Sequence, residues 1–474
     1  MSKYDNNLVV IGGGSAGLIA ALIAATVRAK VTLIERNRMG GDCLNTGCVP
    51  SKTLIRSAKV AHELRHAEAF GIASVAPQVD FPGVMARVHR AIATIEPKDS
   101  VERYSRLGVD CIMADAWLED PHHVHADGRL ISTRSIVLAT GGSPVIPPIT
   151  GLAAASPLTS DSLWSLTALP EKLLVMGGGP IGCELAQSFA RLGSAVTLID
   201  MAPRLLPRED PDVSKFIADV LREEGVDVRL DHRAKEVVDQ TLIAENPDGE
   251  CRFAFDELLV AVGRSATTSG LGLSRLGIEL RGDGTLQVDR YMRTACHSVY
   301  GCGDVTGPYQ FTHMASHQAW YAAVNALFGR FKKFKVNYSV VPWATYTDPE
   351  IARVGLSEST AEEQGIAVEV VRYDLDDLDR AITEGSPRGW IKVLVEPGKD
   401  RILGVSIVGT HAGELINEFI LAMTHGLGLK QIMAAIHIYP TMSEANKFVA
   451  SAWRKTHAPE RLLGLAGRLH ALLR

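Results

Sequence analysis

A pattern of glycines and strands occurs twice in this chain at one constant offset, and it constrains the fold more than any other feature. The first copy runs from Leu8 through a glycine turn at 12–17 to Glu35, and the second runs from Leu173 through a turn at 177–182 to Asp200. Positions 12 and 177 are 165 residues apart, as are positions 35 and 200. Self-similarity at a fixed offset predicts two copies of one folding unit.

Each copy reads as a strand, a glycine turn, a helix and a second strand that ends in an acid. In a turn of the form G-x-G-x-x-G the first glycine makes the tight turn, the second admits a pyrophosphate, and the third lets helix and strand pack closely. The terminal acid accepts hydrogen bonds from a ribose. The sequence therefore predicts two dinucleotide sites, formed by Gly12, Gly14, Gly17 and Glu35, and by Gly177, Gly179, Gly182 and Asp200.

The acid of the second copy bears on the choice of cofactor. Asp200 would repel a 2′-phosphate, which favours NADH over NADPH. Arg204 and Arg208 follow closely and keep NADPH possible.

Length, composition and charge exclude several classes of protein. The chain has 474 residues, 46% hydrophobic and 22% charged, which is typical of a folded protein with several domains. The net charge of −5 argues against a nucleic-acid partner. The apolar stretch 8–27 contains four glycines and is not expected to span a membrane. Seven scattered cysteines without a secretory leader predict a cytoplasmic protein.

Two cysteines five positions apart, Cys43 and Cys48, lie in the segment 40–52. A disulfide between them requires a distorted backbone, because the alpha carbons must come within about 7 Å, and Gly47 can supply the distortion. Pro50 suits a first helical position, which predicts that Cys48 lies just before a helix amino terminus and is the more acidic thiol. Inert thiols or half a zinc site are the alternatives, but no second closely spaced cysteine pair completes four ligands.

The motif G-G-D-C-L-N-T-G-C-V-P-S-K between two G-x-G-x-x-G turns resembles class I pyridine nucleotide-disulfide oxidoreductases, which include dihydrolipoyl dehydrogenase, glutathione reductase and mercuric reductase. The resemblance implies an α/β fold with two Rossmann-like domains, for FAD and NAD(P), and a C-terminal α+β dimerisation domain in a homodimer. The expected boundaries are 1–150 for the first part of the FAD domain, 151–270 for the NAD(P) domain, 271–340 for the second part of the FAD domain, and 341–474 for the dimerisation domain.

The resemblance also implies roles for single residues. It places Asp304 of the G-C-G-D turn, Thr140 and Gly141 beside FAD. A strand that ends in a glycine turn at Gly263 is expected to close the second nucleotide domain, which places Gly263 at the nicotinamide site. Lys52 and Glu184 are expected to form an ion pair beside the flavin. Cys48 is expected to contact the flavin, and Cys43 to attack the acceptor.

The sequence departs from the disulfide-reducing members of this family near its C-terminal end. They carry a proton-moving histidine before a proline, contributed by the partner subunit, whereas this chain has Tyr439. Tyrosine, with an ordinary pKa near ~10, is a poor base at neutral pH. His437 lies on the same face of an extended chain, about 7 Å away. Glu444 is expected either to serve the site or to close a capping box with Thr441.

Tyrosine at this position is similar to mercuric reductase, but the vicinal cysteine pair typical of the end of that enzyme is not found in this sequence. The sequence therefore predicts a mercuric reductase-like enzyme with a dihydrolipoyl dehydrogenase-type core. A dihydrolipoyl dehydrogenase proper and an NADH:quinone or metal reductase remain alternatives, and a non-catalytic dinucleotide-binding scaffold comes last. The small-molecule acceptor is thus a disulfide, a metal ion or a quinone.

Two further segments lie outside the predicted site. The basic amphipathic stretch 461–474 is expected to pack on its own protein, with a membrane or a partner as the alternative. The histidines at 122, 123 and 125 have no further ligands at matching spacing, so no metal site is predicted.

Overall fold

The computed structural model describes residues 3–474, and these divide into two compact units. The second unit contains residues 65–75, 206–217 and 338–474, and the first contains the rest of the chain up to residue 337. In the described part of the chain, every helix is too short or too polar to cross a bilayer.

The first copy of the repeat opens a seven-stranded sheet. Its strands and helices are β1 (Asn6–Ile11), α1 (Ser15–Thr26), β2 (Val31–Glu35), α2 (Gly41–Asn45), α3 (Cys48–Arg65), α4 (Phe81–Ile95), α5 (Val101–Arg106), β3 (Val109–Met113), β4 (Ala116–Asp120), β5 (His123–Ala126), β6 (Arg129–Leu138) and β7 (Gly142–Pro144). Strand β1 is almost wholly buried, and α1 is apolar on all sides, as expected of a helix covered on two faces.

The second copy forms its own parallel sheet. It contains β8 (Lys172–Met176), α6 (Pro180–Leu192), β9 (Ala195–Ile199), α7 (Pro211–Glu223), β10 (Asp227–Arg229), β11 (Arg233–Val238), β12 (Thr241–Asn246), β13 (Gly249–Ala254), β14 (Glu257–Val260) and β15 (Arg264–Ala266). The strand order of the parallel sheet is β10-β9-β8-β14. Strands β11 to β13 form an antiparallel sheet, and β15 pairs with β7.

The two copies share strand register as well as sequence. Leu8 pairs with Val31 in the first sheet, and Leu173 pairs with Val196 in the second. Leu173 and Val196 each lie 165 positions after their counterparts Leu8 and Val31. The predicted duplication is therefore confirmed at the level of hydrogen-bonded pairs.

The chain returns to the first sheet through β16 (Val299–Gly301) and α8 (Thr312–Phe328). Strand order there is β3-β2-β1-β6-β5-β4, and β16 pairs with β6 in parallel. Alanines of α1 and α8, such as Ala20 and Ala319, are fully buried in one core with this sheet. The small side chains let the two helices approach closely, which positions the first residue of α8, Thr312, near the cysteine segment.

The second unit is built on a five-stranded antiparallel sheet of order β17-β18-β21-β20-β19. Its elements are β17 (Pro342–Thr345), β18 (Glu350–Gly355), α9 (Glu358–Glu363), β19 (Glu369–Asp374), α10 (Asp379–Thr383), β20 (Trp390–Val395), β21 (Ile402–Gly409), α11 (Ala412–Thr424), α12 (Leu429–Ala434), α13 (Glu444–Thr456) and α14 (Glu460–Leu472). Helices α11 to α13 share a core with the sheet. The mixed α/β class and the α+β C-terminal region agree with prediction.

Candidate active site

The glycines of the first turn divide into two kinds according to what surrounds them. Gly12 has a φ of +107°, and a β-carbon there would lie 2.2 Å from the carbonyl oxygen of Ala139. A β-carbon on Gly17 would lie 1.7 Å from the Gly12 oxygen. A β-carbon on Gly14 would have the α-carbon of Gly41 as its nearest atom outside the adjacent residues, at 3.6 Å. Packing explains the first and third glycines, and the second faces the space that a pyrophosphate needs.

The second turn repeats this division. A β-carbon on Gly177 would lie 2.4 Å from the Ala261 oxygen, and one on Gly182 would lie 1.8 Å from the Gly177 oxygen. Apart from residues 178–180 themselves, no described residue has an atom within 4 Å of a β-carbon on Gly179. Helices α1 and α6 begin directly after Gly14 and Gly179, and no described side chain caps either helix. Uncapped first-turn amides next to an open glycine suit a phosphate.

The acids that end β2 and β9 occupy equivalent places. Glu35 accepts a hydrogen bond from the amide of Gly13 at 2.6 Å, and Asp200 accepts one from the amide of Gly178 at 2.5 Å. Each carboxylate is thereby held against the glycine turn of its own copy. This is the position from which an acid reaches a ribose.

The two later glycine turns are also open. Gly141 and Gly263 have φ values of +67° and +135°, and no described atom lies within 4 Å of a β-carbon at either position. The hydroxyl of Thr140 donates to the carbonyl oxygen of Thr267 at 2.6 Å. The residues present therefore fit two bound dinucleotides, and the positive φ at Gly141 and Gly263 favours glycine.

Asp304 lies in a network centred on an arginine that the sequence analysis did not identify. Arg264 donates to the Asp42 carboxylate and to the Gly142 oxygen, the latter at 2.7 Å, and its Nε lies 3.9 Å from an Asp304 oxygen. Burial raises the pKa of Asp304 to about 6, against the opposing charge of Arg264. The position of Arg264 directly after the Gly263 turn was the available signal for it.

The cysteine segment breaks into two helices between the thiols. Cys43 lies in α2, which ends at Asn45, and the Gly47 amide donates to the Asp42 oxygen at 2.5 Å across the break. The predicted distortion is present. The predicted helix start at Pro50 is wrong, since α3 begins at Cys48 itself, held by the amide of Ser51 donating to the Gly47 oxygen at 3.1 Å.

The two thiols are free, and each affects the pKa of the other. The hydrogen bond from Cys43 lowers the pKa of Cys48 to about 6, helped by the Thr312 hydroxyl and the charge of Lys52, and against burial. The Thr312 hydroxyl lies 3.4 Å from the Cys48 sulfur. The same pairing raises the pKa of Cys43. Cys48 is therefore the more acidic thiol, as predicted, although neighbouring side chains contribute most of the effect.

The predicted ion pair is present. The ammonium of Lys52 on α3 lies 2.8 Å from a carboxylate oxygen of Glu184 on α6. The Glu184 side chain is 6% exposed, so the ion pair is buried on its acidic side. The pair places a fixed positive charge one helical turn from Cys48.

The three C-terminal candidates lie in the second unit, and the structure separates them. Tyr439 is 68% exposed, and its hydroxyl donates to Asp379 at 3.0 Å. His437 turns inward, with 7% of its side chain exposed and its Nε2 3.1 Å from Glu418. The expectation that His437 shares a face with Tyr439 is therefore wrong. The chain between α12 and α13 is not an extended strand, so alternation of side chains does not apply there.

Glu444 is the first residue of α13 and is buried. It accepts a hydrogen bond from the Thr441 amide at 3.3 Å. The Thr441 hydroxyl donates elsewhere, to the oxygen of Ile438 at 2.7 Å. The predicted capping box is thus only half formed.

Comparisons with known proteins agree with one another. Residues 6–319 match the family model described as pyridine nucleotide-disulphide oxidoreductase, and residues 341–449 match its dimerisation domain. A mercuric reductase of Streptomyces lividans is 35% identical over 95% of this chain and 96% of its own length. A dihydrolipoyl dehydrogenase of Chlamydia muridarum is 34% identical over 92% of this chain and 94% of its own. The solved HOCl-induced flavoprotein disulfide reductase RclA from Escherichia coli is 30% identical, with a TM-score of 0.84 over 94% of this chain and 99% of its own.

Proposed function

The chain belongs to the pyridine nucleotide-disulphide oxidoreductase family, and from this premise we propose that Cys43 and Cys48 are its redox-active pair. It is an FAD-dependent oxidoreductase. The observation that carries the proposal is the pair of free thiols on either side of the helix break at Gly47, with the Thr312 hydroxyl 3.4 Å from the Cys48 sulfur. The pKa of Cys48 is the lowered one of the pair. The thiolate is the nucleophilic and metal-binding form of cysteine, so this pair is prepared for either chemistry.

We assign the cofactors to the two open glycine turns. Residues 1–150 and 271–340 would hold FAD through Gly14, Glu35 and Asp304, and residues 151–270 would hold the nicotinamide cofactor through Gly179 and Asp200. Bound together, these cofactors would supply an electron pair to the cysteine pair by hydride transfer. NADH is the proposed donor, because the Asp200 carboxylate at the ribose position repels a 2′-phosphate.

The roles of the chain's own groups follow from their charges. Lys52, held by Glu184, stabilises negative charge that develops beside it on reduction. Thr312 donates a hydrogen bond to the Cys48 thiolate, and Cys43 is the thiol that meets the acceptor. A Cys48 thiolate and a Cys43 thiol are what two-electron reduction of their disulfide leaves at neutral pH.

A thiophilic metal ion such as Hg²⁺ is the proposed acceptor. Reduction of a disulfide by NADH consumes a proton and needs a group that delivers it, whereas reduction of Hg²⁺ to Hg⁰ releases one proton and needs no such group. Tyr439 stands where the family histidine would be, and the His437 side chain is bound to Glu418. The mercuric reductase relative supports this choice. Dihydrolipoyl dehydrogenase activity is the second candidate, on the evidence of equally similar relatives.

We propose a homodimer in which Tyr439 and Glu444 of one subunit reach the thiol pair of the other. The dimerisation domain supports this arrangement. Ile436 and Ile438 beside Tyr439 are 99% and 76% exposed, which is typical of a surface that another chain covers. A cytoplasmic location is proposed because all seven cysteines are free thiols.

An acceptor panel tests the proposed function. The purified enzyme is expected to reduce mercuric ion with NADH, faster than lipoamide, glutathione disulfide or quinones and with a higher kcat/KM for NADH than for NADPH. Faster lipoamide turnover would favour the second candidate. Reduction of quinones alone would exclude a role for the thiols.

The pKa of Cys48 predicts a pH dependence. After anaerobic reduction with NADH, the long-wavelength absorbance of a thiolate against FAD should be present at neutral pH. It should disappear as the pH falls through about 6, since the thiolate protonates there. Thr312→Val should move the midpoint upward by about one pH unit, because a hydrogen bond to the charged form is lost. Ser316→Ala, which removes a hydroxyl one turn further along α8, is the matched control and should leave the midpoint unchanged.

Restoring the family histidine predicts a gain in disulfide chemistry. Tyr439→His should raise turnover with dihydrolipoamide about a hundredfold, the lower end of the range of general base catalysis by histidine. His437→Gln is the control, since His437 is turned towards Glu418 and should affect stability more than turnover. Unchanged dihydrolipoamide turnover in Tyr439→His would mean that this residue does not face the thiols.

A further inference from the structure

Helix α14 is the most exposed helix of the second unit. Within the described chain none of its residues is buried. Its leucines Leu462, Leu465, Leu469 and Leu472 are 62%, 59%, 55% and 85% exposed. The expectation that this stretch packs on its own protein is therefore wrong.

These four leucines form one continuous face. They follow one another at intervals of three, four and three residues, the spacing that aligns side chains along one side of a helix. Leu473 widens the same face and is 74% exposed. A contiguous apolar face of this kind is unusual on a free surface and indicates a binding partner.

The charge around this face identifies the partner. Residues 460–474 contain three basic side chains and one acidic side chain, a net charge of +2 in a chain whose total is −5. Arg461 and Arg468 are seven residues apart and lie in one row beside the leucine face. A basic helix with leucines on one face fits an anionic lipid surface, where leucines enter the acyl boundary and arginines meet the headgroup phosphates.

A second copy of this helix is a poorer partner. Two heptads of leucine are fewer than a coiled coil sustains, and Gly464 and Gly467 weaken the helix in water. The family's dimerisation domain ends at residue 449, eleven residues before α14 begins. We propose that α14 binds the enzyme peripherally to membranes that contain anionic phospholipid.

Vesicle sedimentation of the full-length holoenzyme tests the proposal. Vesicles of phosphatidylcholine with a minority of phosphatidylglycerol are expected to bind the enzyme at least about tenfold more tightly than phosphatidylcholine alone. High salt should release it, because charge attraction is screened. Equal binding to both vesicle types, or binding to neither, would overturn the proposal.

Two variants distinguish the contribution of the leucine face to vesicle binding from that of net charge. Leu469→Glu and Ala471→Glu each add one negative charge at an exposed position of α14, and only Leu469 lies in the leucine face. The partition coefficient of Leu469→Glu should fall about tenfold below that of Ala471→Glu. Both should retain wild-type melting temperature and turnover without vesicles. Equal partition of the two variants, or a larger oligomer that Leu469→Glu alone dissociates, would show that the face does not bind lipid.

Discussion

Cys43→Ser is expected to abolish NADH-dependent reduction of mercuric ion, with a loss of about a thousandfold or more in kcat. A hydroxyl neither forms a disulfide nor binds a thiophilic ion, so the acceptor has no group to engage. Cys48 keeps Thr312 and the positive charge of Lys52. Without a disulfide partner Cys48 stays a free thiol, and the serine hydroxyl at position 43 donates in place of the Cys43 thiol, so the pKa of Cys48 stays low and the thiolate persists at neutral pH.

The absorbance spectrum of the Cys43→Ser variant should also differ from that of the wild type. The long-wavelength absorbance should be present before NADH is added, since Cys48 can no longer be consumed in a disulfide, and NADH should still bleach the bound FAD. Cys251→Ser is the matched control, a thiol-to-hydroxyl change in β13, and should leave both activity and spectrum unchanged. Activity in Cys43→Ser above about a tenth of wild type would show that electrons leave without this thiol.

The second large effect is expected from substitutions at two glycines of the second turn, one of which should change stability and the other NADH binding. Gly182→Ala should destabilise the fold by about 3 kcal/mol, because its methyl group would lie 1.8 Å from the Gly177 oxygen and the turn must move. Gly179→Ala should leave stability unchanged, since apart from residues 178–180 no described residue has an atom within 4 Å of its methyl group. Its effect should appear in the KM for NADH, which should rise about tenfold or more as the methyl group meets the pyrophosphate.

Measurement of both variants separates packing from binding. Chemical denaturation should place only Gly182→Ala below wild type, and steady-state kinetics on the folded fraction should show a raised KM for NADH in Gly179→Ala. FAD content should be normal in Gly179→Ala, because its turn belongs to the second copy. A normal KM in Gly179→Ala would mean that the nicotinamide cofactor binds elsewhere.

The hydrophobic and glycine patterns of the sequence predicted the local elements of the two repeated copies. The strand, turn and helix of each copy follow from hydrophobic runs and glycines, and the constant offset predicted that the two copies are equivalent. The Lys52–Glu184 pair joins residues 132 positions apart and came from the family resemblance. Arg264 meets Asp42 across 222 positions, and no local pattern contains that contact.

In the loop between α12 and α13, local sequence does not predict which way the side chains point. The alternation of side chains holds only in an extended strand, and this loop is not one. The two-residue spacing of His437 and Tyr439 predicts a shared face only for an extended strand. Here the chain turns between α12 and α13, and the attraction of Glu418 for the His437 ring decides its direction. The orientation of the His437 side chain therefore depends on Glu418, a residue of helix α11.

The matched register of the two copies has a consequence for changes in chain length. Between the first strand and the acid of each copy, one added or deleted residue would rotate the helix by about 100° and move the carboxylate away from the glycine amide that it binds. Residues 8–35 and 173–200 should therefore tolerate substitutions more readily than insertions or deletions. Length variation is better accommodated at the exposed tip between β12 and β13, where a longer turn would leave the strand pairs intact.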